Sequence, residues 1–311
     1  MSHTASDRAL ERASAAGQSL FVSAQDGLRL HVRAHGARTE RALPVVCLPG
    51  LARTTADFDT LAVALASDRE RPRRVLSLDY RGRGKSDYDR KPANYNLQVE
   101  LADVLSVLTA LGIGRAAFVG TSRGGILTML LAVARPTAIA GCVLNDIGPV
   151  IDLEGLMRIK GYVGKLPALA SLPAAAEALK RRFGSHFPKW SDDDWLAFAR
   201  ASFKEDGGRL VVDYDPKLAT TLEAVGPARP LPTLWNEFDA LGRVPVMVVR
   251  GANSDILSAA TVEDMRKRRR ALEVLEVPEE GHAPRLAGAL MIDRIAGFIA
   301  SCDATGSGYR S

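Results

Sequence analysis

Three cysteines are all that this 311-residue sequence holds, at positions 47, 142 and 302. An odd, small number with no CxxC pair excludes a disulfide framework and gives no zinc or dithiol redox pattern. Cys47 and Cys142 sit inside the apolar runs Pro44 to Leu48 and Ile139 to Leu144, where buried, inert thiols are expected. Long hydrophobic runs are missing too. The longest nearly apolar stretch, Ile126 to Ala134, falls far short of the ~20 residues that span a bilayer. The first 17 residues carry Asp7 and Glu11 and have no apolar core of a secretory signal. These absences point to a soluble, cytoplasmic protein with no membrane span.

Aromatic residues are scarce at 6%, and the net charge is only +5. Two basic clusters, Arg69 to Arg74 and Arg266 to Arg270, carry no interleaved aromatics. They read as solvated faces, and no nucleic-acid partner is expected. What remains is ordinary globular material, 47% apolar and 25% charged. A chain this long buries about 75% of its unfolded surface and needs no metal or disulfide to fold.

Two short runs, Ser19 to Ala24 and Leu28 to Ala34, flank Asp26-Gly27, a hairpin signal. From 44 to 145, strand-like runs (Pro44 to Leu48, Val75 to Leu78, Ala116 to Val119, Ile139 to Leu144) alternate with helical spacing at Asp57 to Ala66, Leu97 to Leu111 and Gly125 to Ala134. In Leu97 to Leu111 the leucines and valines at 97, 101, 104, 105, 108 and 111 form the apolar stripe. This order predicts a parallel sheet with helices on both faces. Helical spacing then dominates from 151 to 241, which holds all three tryptophans. The strand pattern resumes at Pro245 to Arg250. The expected organisation is an α/β core over 19–150 and 242–301, a helical cap over 151–241, and flexible termini at 1–18 and 302–311.

The chemistry gathers at three strand ends. Gly120-Thr121-Ser122-Arg123-Gly124 follows a strand and opens an apolar helix. This is the setting of a nucleophile elbow, where small flanking residues allow a sharp turn and the serine hydroxyl is exposed above a helix N-terminus. A serine needs a base. Of the five histidines (3, 31, 35, 186 and 282), His282 lies just past the last strand, at the carboxyl edge where ligands of open α/β sheets bind. Asp255 follows the strand ending at Arg250 and is the expected orienting acid. Asp146, which also follows a strand, is its rival and is expected to be structural or a secondary hydrogen-bond partner. The oxyanion donors are expected to be the backbone N–H groups of Leu51 and Arg123, with Gly50 supplying an unusual backbone conformation. Gly84-Lys85-Ser86 mimics the end of a phosphate-binding loop, but Asp79 stands where that motif requires glycine.

The loops LPGLART, DYRGRGKSD, GTSRGG, RGANSD and EGHAP, in this order over residues 19 to 301, resemble those of the α/β-hydrolase fold, in particular its capped, esterase-like serine hydrolases. The resemblance implies a mostly parallel eight-stranded sheet with helices on both faces and a cap after the sixth strand. It also implies an acyl-enzyme on Ser122, with His282 and Asp255 completing a triad and with no cofactor or metal. The expected substrate is a small, moderately apolar ester, acted on by a monomer or homodimer. Many members carry His-Gly where this chain has Pro49-Gly50. Relatives that open epoxides or remove halide use Asp at the elbow, which Ser122 argues against. Lactone, thioester and carbon–carbon bond hydrolysis use the same residues, although carbon–carbon hydrolases often carry Met where this chain has Arg123. A ligand-binding protein without activity is the alternative of another class.

Overall fold

The alternation read between 44 and 145 is realised in the computed structural model, which describes residues 17–229, 231–242 and 244–304. Its strands are β1 (Gln18–Ser23), β2 (Arg29–His35), β3 (Val45–Leu48), β4 (Val75–Asp79), β5 (Ala116–Thr121), β6 (Ile139–Asn145), β7 (Phe203–Asp206), β8 (Arg209–Val212), β9 (Val246–Gly251) and β10 (Glu273–Val277). Its helices are α1 (Asp59–Ala66), α2 (Leu97–Ala110), α3 (Arg123–Ala134), α4 (Leu153–Tyr162), α5 (Leu172–Phe183), α6 (Asp192–Ser202), α7 (Trp235–Asp239), α8 (Ala259–Arg268) and α9 (Ala289–Ala304). Eight strands form one sheet in the order β1-β2-β4-β3-β5-β6-β9-β10. Only β2 runs against the others.

The central strands are buried on both faces, so successive residues feed opposite cores. Val45 and Cys47 pack with Phe58, Leu61 and Ile295 on one side. Val46 and Leu48 pack with Val104, Leu127 and Met129 on the other. This close packing explains why short apolar runs became strands.

Between β6 and β9 the chain leaves the sheet. Residues 151–241 form α4 to α7 and a small hairpin, β7–β8. The hairpin was not expected, yet its signal is present. Gly207-Gly208, both at positive φ (55° and 75°), link strands whose register joins Asp206 to Arg209, the geometry that favours a two-residue hairpin turn. The expectation of a flexible end from 302 is corrected in part. Cys302 is fully buried in α9, and Asp303 accepts from Leu43 N (2.9 Å) and from both terminal nitrogens of Arg73 (3.2 and 3.0 Å). Residues 1–16 and 305–311 lie outside the described residues, whereas Gln18 already belongs to β1.

Candidate active site

Ser122 sits between β5 and α3 with φ 52° and ψ −114°, a left-handed backbone that a serine adopts only under constraint. The constraint is steric and comes from its neighbours. A Cβ on Gly120 would lie 2.6 Å from the Gly124 backbone, and one on Gly124 would lie 1.9 Å from the Leu48 carbonyl oxygen. Only glycine permits β3, β5 and α3 to approach this closely. The Ser122 N–H donates to Asn145 O at 3.0 Å, which ties the elbow to the end of β6.

His282 arrives from the loop after β10. Its Nε2 lies 2.9 Å from Ser122 Oγ and its Nδ1 2.8 Å from Asp146 Oδ2. An ionised carboxylate can only accept, so the Nδ1 proton faces Asp146 and Nε2 is left to accept from the serine hydroxyl. Asn145 steadies the histidine loop, donating from Nδ2 to Pro284 O at 2.9 Å.

Asp255 does not occupy the place expected for it. Its carboxylate is engaged on both oxygens by Arg158 of α4, at 2.5 and 2.8 Å. Burial raises its pKa, but the Arg158 hydrogen bonds and charge outweigh this and hold it below the ordinary aspartate value. Asp146 stands at the histidine instead. It is fully buried at the tip of β6 with φ 54°. Its Oδ1 accepts from Gly251 N (2.9 Å) and its Oδ2 from Ser254 Oγ (2.6 Å), which fixes the carboxylate across the end of β9. The physical reason is register. β6 lies directly beside β5, so the residue after β6 emerges next to the elbow, whereas the loop after β9 is drawn toward α4.

The Arg123 N–H opens α3, where a helix leaves its first N–H groups without intrahelical acceptors. Leu51 lies on the loop after β3. Neither N–H has a backbone acceptor among the described residues. Gly50 does not have the unusual conformation expected of it, since its φ lies outside the positive range. Instead, a side chain there would press on Arg53 Cγ at 3.3 Å and approach Ser122 Cβ at 3.8 Å.

Ser122, His282 and Leu51 line a cavity of about 240 Å³ whose far walls come from residues 151–241. Phe183, Phe187, Trp190, Tyr162 and Tyr214 contribute to it, whereas Trp195, Phe203 and Trp235 do not. Trp195 is instead buried against Phe187, Trp190 and Phe198. A second Ser–His–Asp chain exists elsewhere. His31 Nε2 lies 2.9 Å from Ser19 Oγ, and its Nδ1 lies 2.7 Å from Asp79. Ser19 is exposed and lines no part of the cavity. Asp79 there secures turns, accepting from Thr55 N and Lys85 N, and Ser86 Oγ donates to Asp79 O at 2.6 Å. The Gly84-Lys85-Ser86 segment is thus a braced turn.

Sequence reasoning passed over two acids on α2. Glu100 and Asp103 are buried, not solvated. Asp103 accepts from Arg81 Nε and Nη2, both at 2.7 Å, and Glu100 accepts from Arg83 and Arg123. Acids three residues apart, facing a turn with two arginines, are the signal that could have found them.

Comparison with known proteins identifies the family and the fold. The profile of the alpha/beta hydrolase family matches residues 45–294. A 3-hydroxybutyrate-oligomer hydrolase from Cupriavidus necator is 33% identical over 85% of this chain and 91% of its own. A 2-(acetamidomethylene)succinate hydrolase from Mesorhizobium japonicum is 26% identical over 80% of this chain and 85% of its own. A solved alpha/beta hydrolase from Novosphingobium aromaticivorans is 42% identical, with a TM-score of 0.85 over 91% of this chain and 98% of its own.

Proposed function

The chain belongs to the alpha/beta hydrolase family, and on that premise we propose that it is a serine hydrolase that cleaves carboxylic esters. The observation that carries this reading is the hydrogen-bonded sequence Ser122–His282–Asp146 opening into a largely apolar cavity. Ser122 Oγ attacks the ester carbonyl carbon while His282 Nε2 takes its proton. Asp146 orients the imidazole and stabilises its cation. The Leu51 and Arg123 N–H groups receive the developing oxyanion. The alkoxide leaves with the proton from His282; a water molecule, deprotonated by the same nitrogen, then attacks the acyl carbon, and Ser122 Oγ departs with that proton as the carboxylic acid is released.

The relative from Cupriavidus necator supports an ester bond and suggests short oligoesters of hydroxy acids as the substrate class. Residues 151–241, which wall the cavity, are the part that selects the acyl and alcohol groups. The buried thiols of Cys47, Cys142 and Cys302 support a reducing, cytoplasmic setting. Among the described residues no helix is long and apolar enough to cross a membrane.

The test is a substrate panel of p-nitrophenyl esters, linear 3-hydroxybutyrate dimer and trimer, lactones, a thioester and a vinylogous diketone. Ester turnover is expected to vanish in Ser122→Ala and to persist in Ser19→Ala. Turnover confined to the thioester or the diketone would replace the ester assignment. An absence of any turnover, together with no labelling of Ser122 by a fluorophosphonate, would mark a binding protein.

A further inference from the structure

The buried charges behind the elbow make a frame around the two candidate oxyanion donors. The Leu51 N–H belongs to the Gly50–Leu51 peptide, and the peptides on either side of it are both gripped from the turn after β4. Tyr80 Oη donates to Pro49 O at 3.3 Å, and Arg83 Nε donates to Leu51 O at 2.8 Å. The second donor is the backbone N–H of Arg123. The Arg123 side chain turns away from the elbow and donates from Nε to Glu100 Oε2 at 2.5 Å. Glu100 Oε1 accepts from Arg83 Nη1 at 2.7 Å. One carboxylate therefore joins the residue that supplies one donor to the residue that holds the loop of the other.

The frame is built in a dry place. The side chains of Arg83 and Glu100 are 0% exposed and that of Arg123 is 13% exposed. Arg83 also lies near the Tyr80 and Tyr95 rings, at 5.5 and 5.8 Å. Burying three charges for stability alone is inefficient, because desolvation opposes the attraction between them. Moreover, two guanidinium groups face a single carboxylate, and the Nη2 atoms of Arg83 and Arg123 have no hydrogen-bond partner among the described residues.

We propose that Glu100 and Arg83 are positioning residues for the oxyanion hole, setting the spacing of the Leu51 and Arg123 N–H groups. The inference rests on the ester-hydrolase reading above. Neither residue touches substrate. Arg83 acts through the backbone it holds, and Glu100 through the two arginines it joins.

The experiment uses the full chain carrying Glu100→Gln or Arg83→Lys, with rates expressed per active site titrated by a fluorophosphonate. For p-nitrophenyl butyrate, kcat is expected to fall roughly 10- to 100-fold in Glu100→Gln with KM within about twofold, less than the cost of removing a donor outright. Affinity for butylboronic acid, whose tetrahedral adduct on Ser122 carries an anionic oxygen, should weaken by a similar factor. Arg83→Lys retains the buried cation opposite Glu100 and loses the guanidinium's reach to Leu51 O, so it decides the matter if Glu100→Gln fails to fold. Unchanged kcat per site and unchanged boronate affinity, with only the melting temperature or the titratable fraction reduced, would assign a purely structural role and overturn the proposal. A wild-type protein without ester turnover would instead remove the underlying reading.

Discussion

The Nδ1 of His282 lies 2.8 Å from Asp146 Oδ2, while Asp255, the acid of the later loop, is held by Arg158. The two aspartates therefore make opposite predictions. Asp146→Asn should lower kcat by roughly 10⁴-fold, because an amide no longer favours the Nδ1-protonated imidazole or stabilises its cation. Asp255→Asn breaks a partly exposed ion pair and should change kcat by less than about tenfold. Measuring both variants on one ester decides between them, and the reverse ranking would return the acid role to Asp255.

Two glycines separate packing from propensity. Gly124→Ala places a methyl 1.9 Å from the Leu48 carbonyl oxygen, and backbone cannot give way as a side chain can. The variant should fail to accumulate as folded protein or should lose Ser122 reactivity. Gly297→Ala, on an exposed position of α9 with nothing within 4 Å of the new methyl, should stabilise the fold by about 0.5–1 kcal/mol. Denaturant unfolding reads the second and fluorophosphonate labelling the first.

Asp59 sets a pH dependence of stability. Burial pushes its carboxyl up to about 6, against the opposing charge of Arg33, and its Oδ1 is buried without a donor among the described residues. The folded state thus keeps this proton to a higher pH than the unfolded chain, whose value is about 4. The stability it contributes is complete below about 4 and is lost as the pH rises through about 6. Asp59→Asn should raise the melting temperature at about pH 7.5 and have less effect at about pH 4. Equal shifts at the two pH values would contradict this.

The thiols should be silent in the native protein. Burial pushes Cys47 and Cys142 up to about 12 and Cys302 up to about 11, so almost no thiolate exists at about pH 8. Ellman's reagent should find no thiol until denaturant is added and three afterwards. Prompt reaction of the folded protein would show that one of these sites opens.

The elbow and the histidine loop were legible because each depends on local order, a buried run followed by a turn with small residues. The acid was not, because Asp146 and Asp255 both follow strands. Which of them meets His282 depends on how two loops bend at the sheet edge, a property of strands far apart in sequence. Glu100 was hidden for a related reason. The leucine and valine stripe of α2 is visible in the sequence, but Leu97, Leu101, Leu105 and Leu111 are only partly buried, and Glu100 and Asp103 are turned fully inward beside Val104, Val107 and Leu108. A carboxylate goes inside only when cations wait there, and these come from positions 81, 83 and 123. The β7–β8 hairpin was overlooked within a stretch dominated by helical spacing, although Gly207-Gly208 marks it.

The grip of Arg158 on Asp255 bears on how this protein could be remade. A carboxylate held on both oxygens by a guanidinium cannot also steer an imidazole, so a single acid could not both tether α4 and serve His282. Here the two tasks fall to different aspartates. Ser122, Asp146 and His282 are all rooted in strand ends of the sheet, and none is contributed by residues 151–241. That stretch could be transplanted from a relative to change what enters the cavity, provided the graft brings a cation to Asp255 and leaves the reacting groups as they stand.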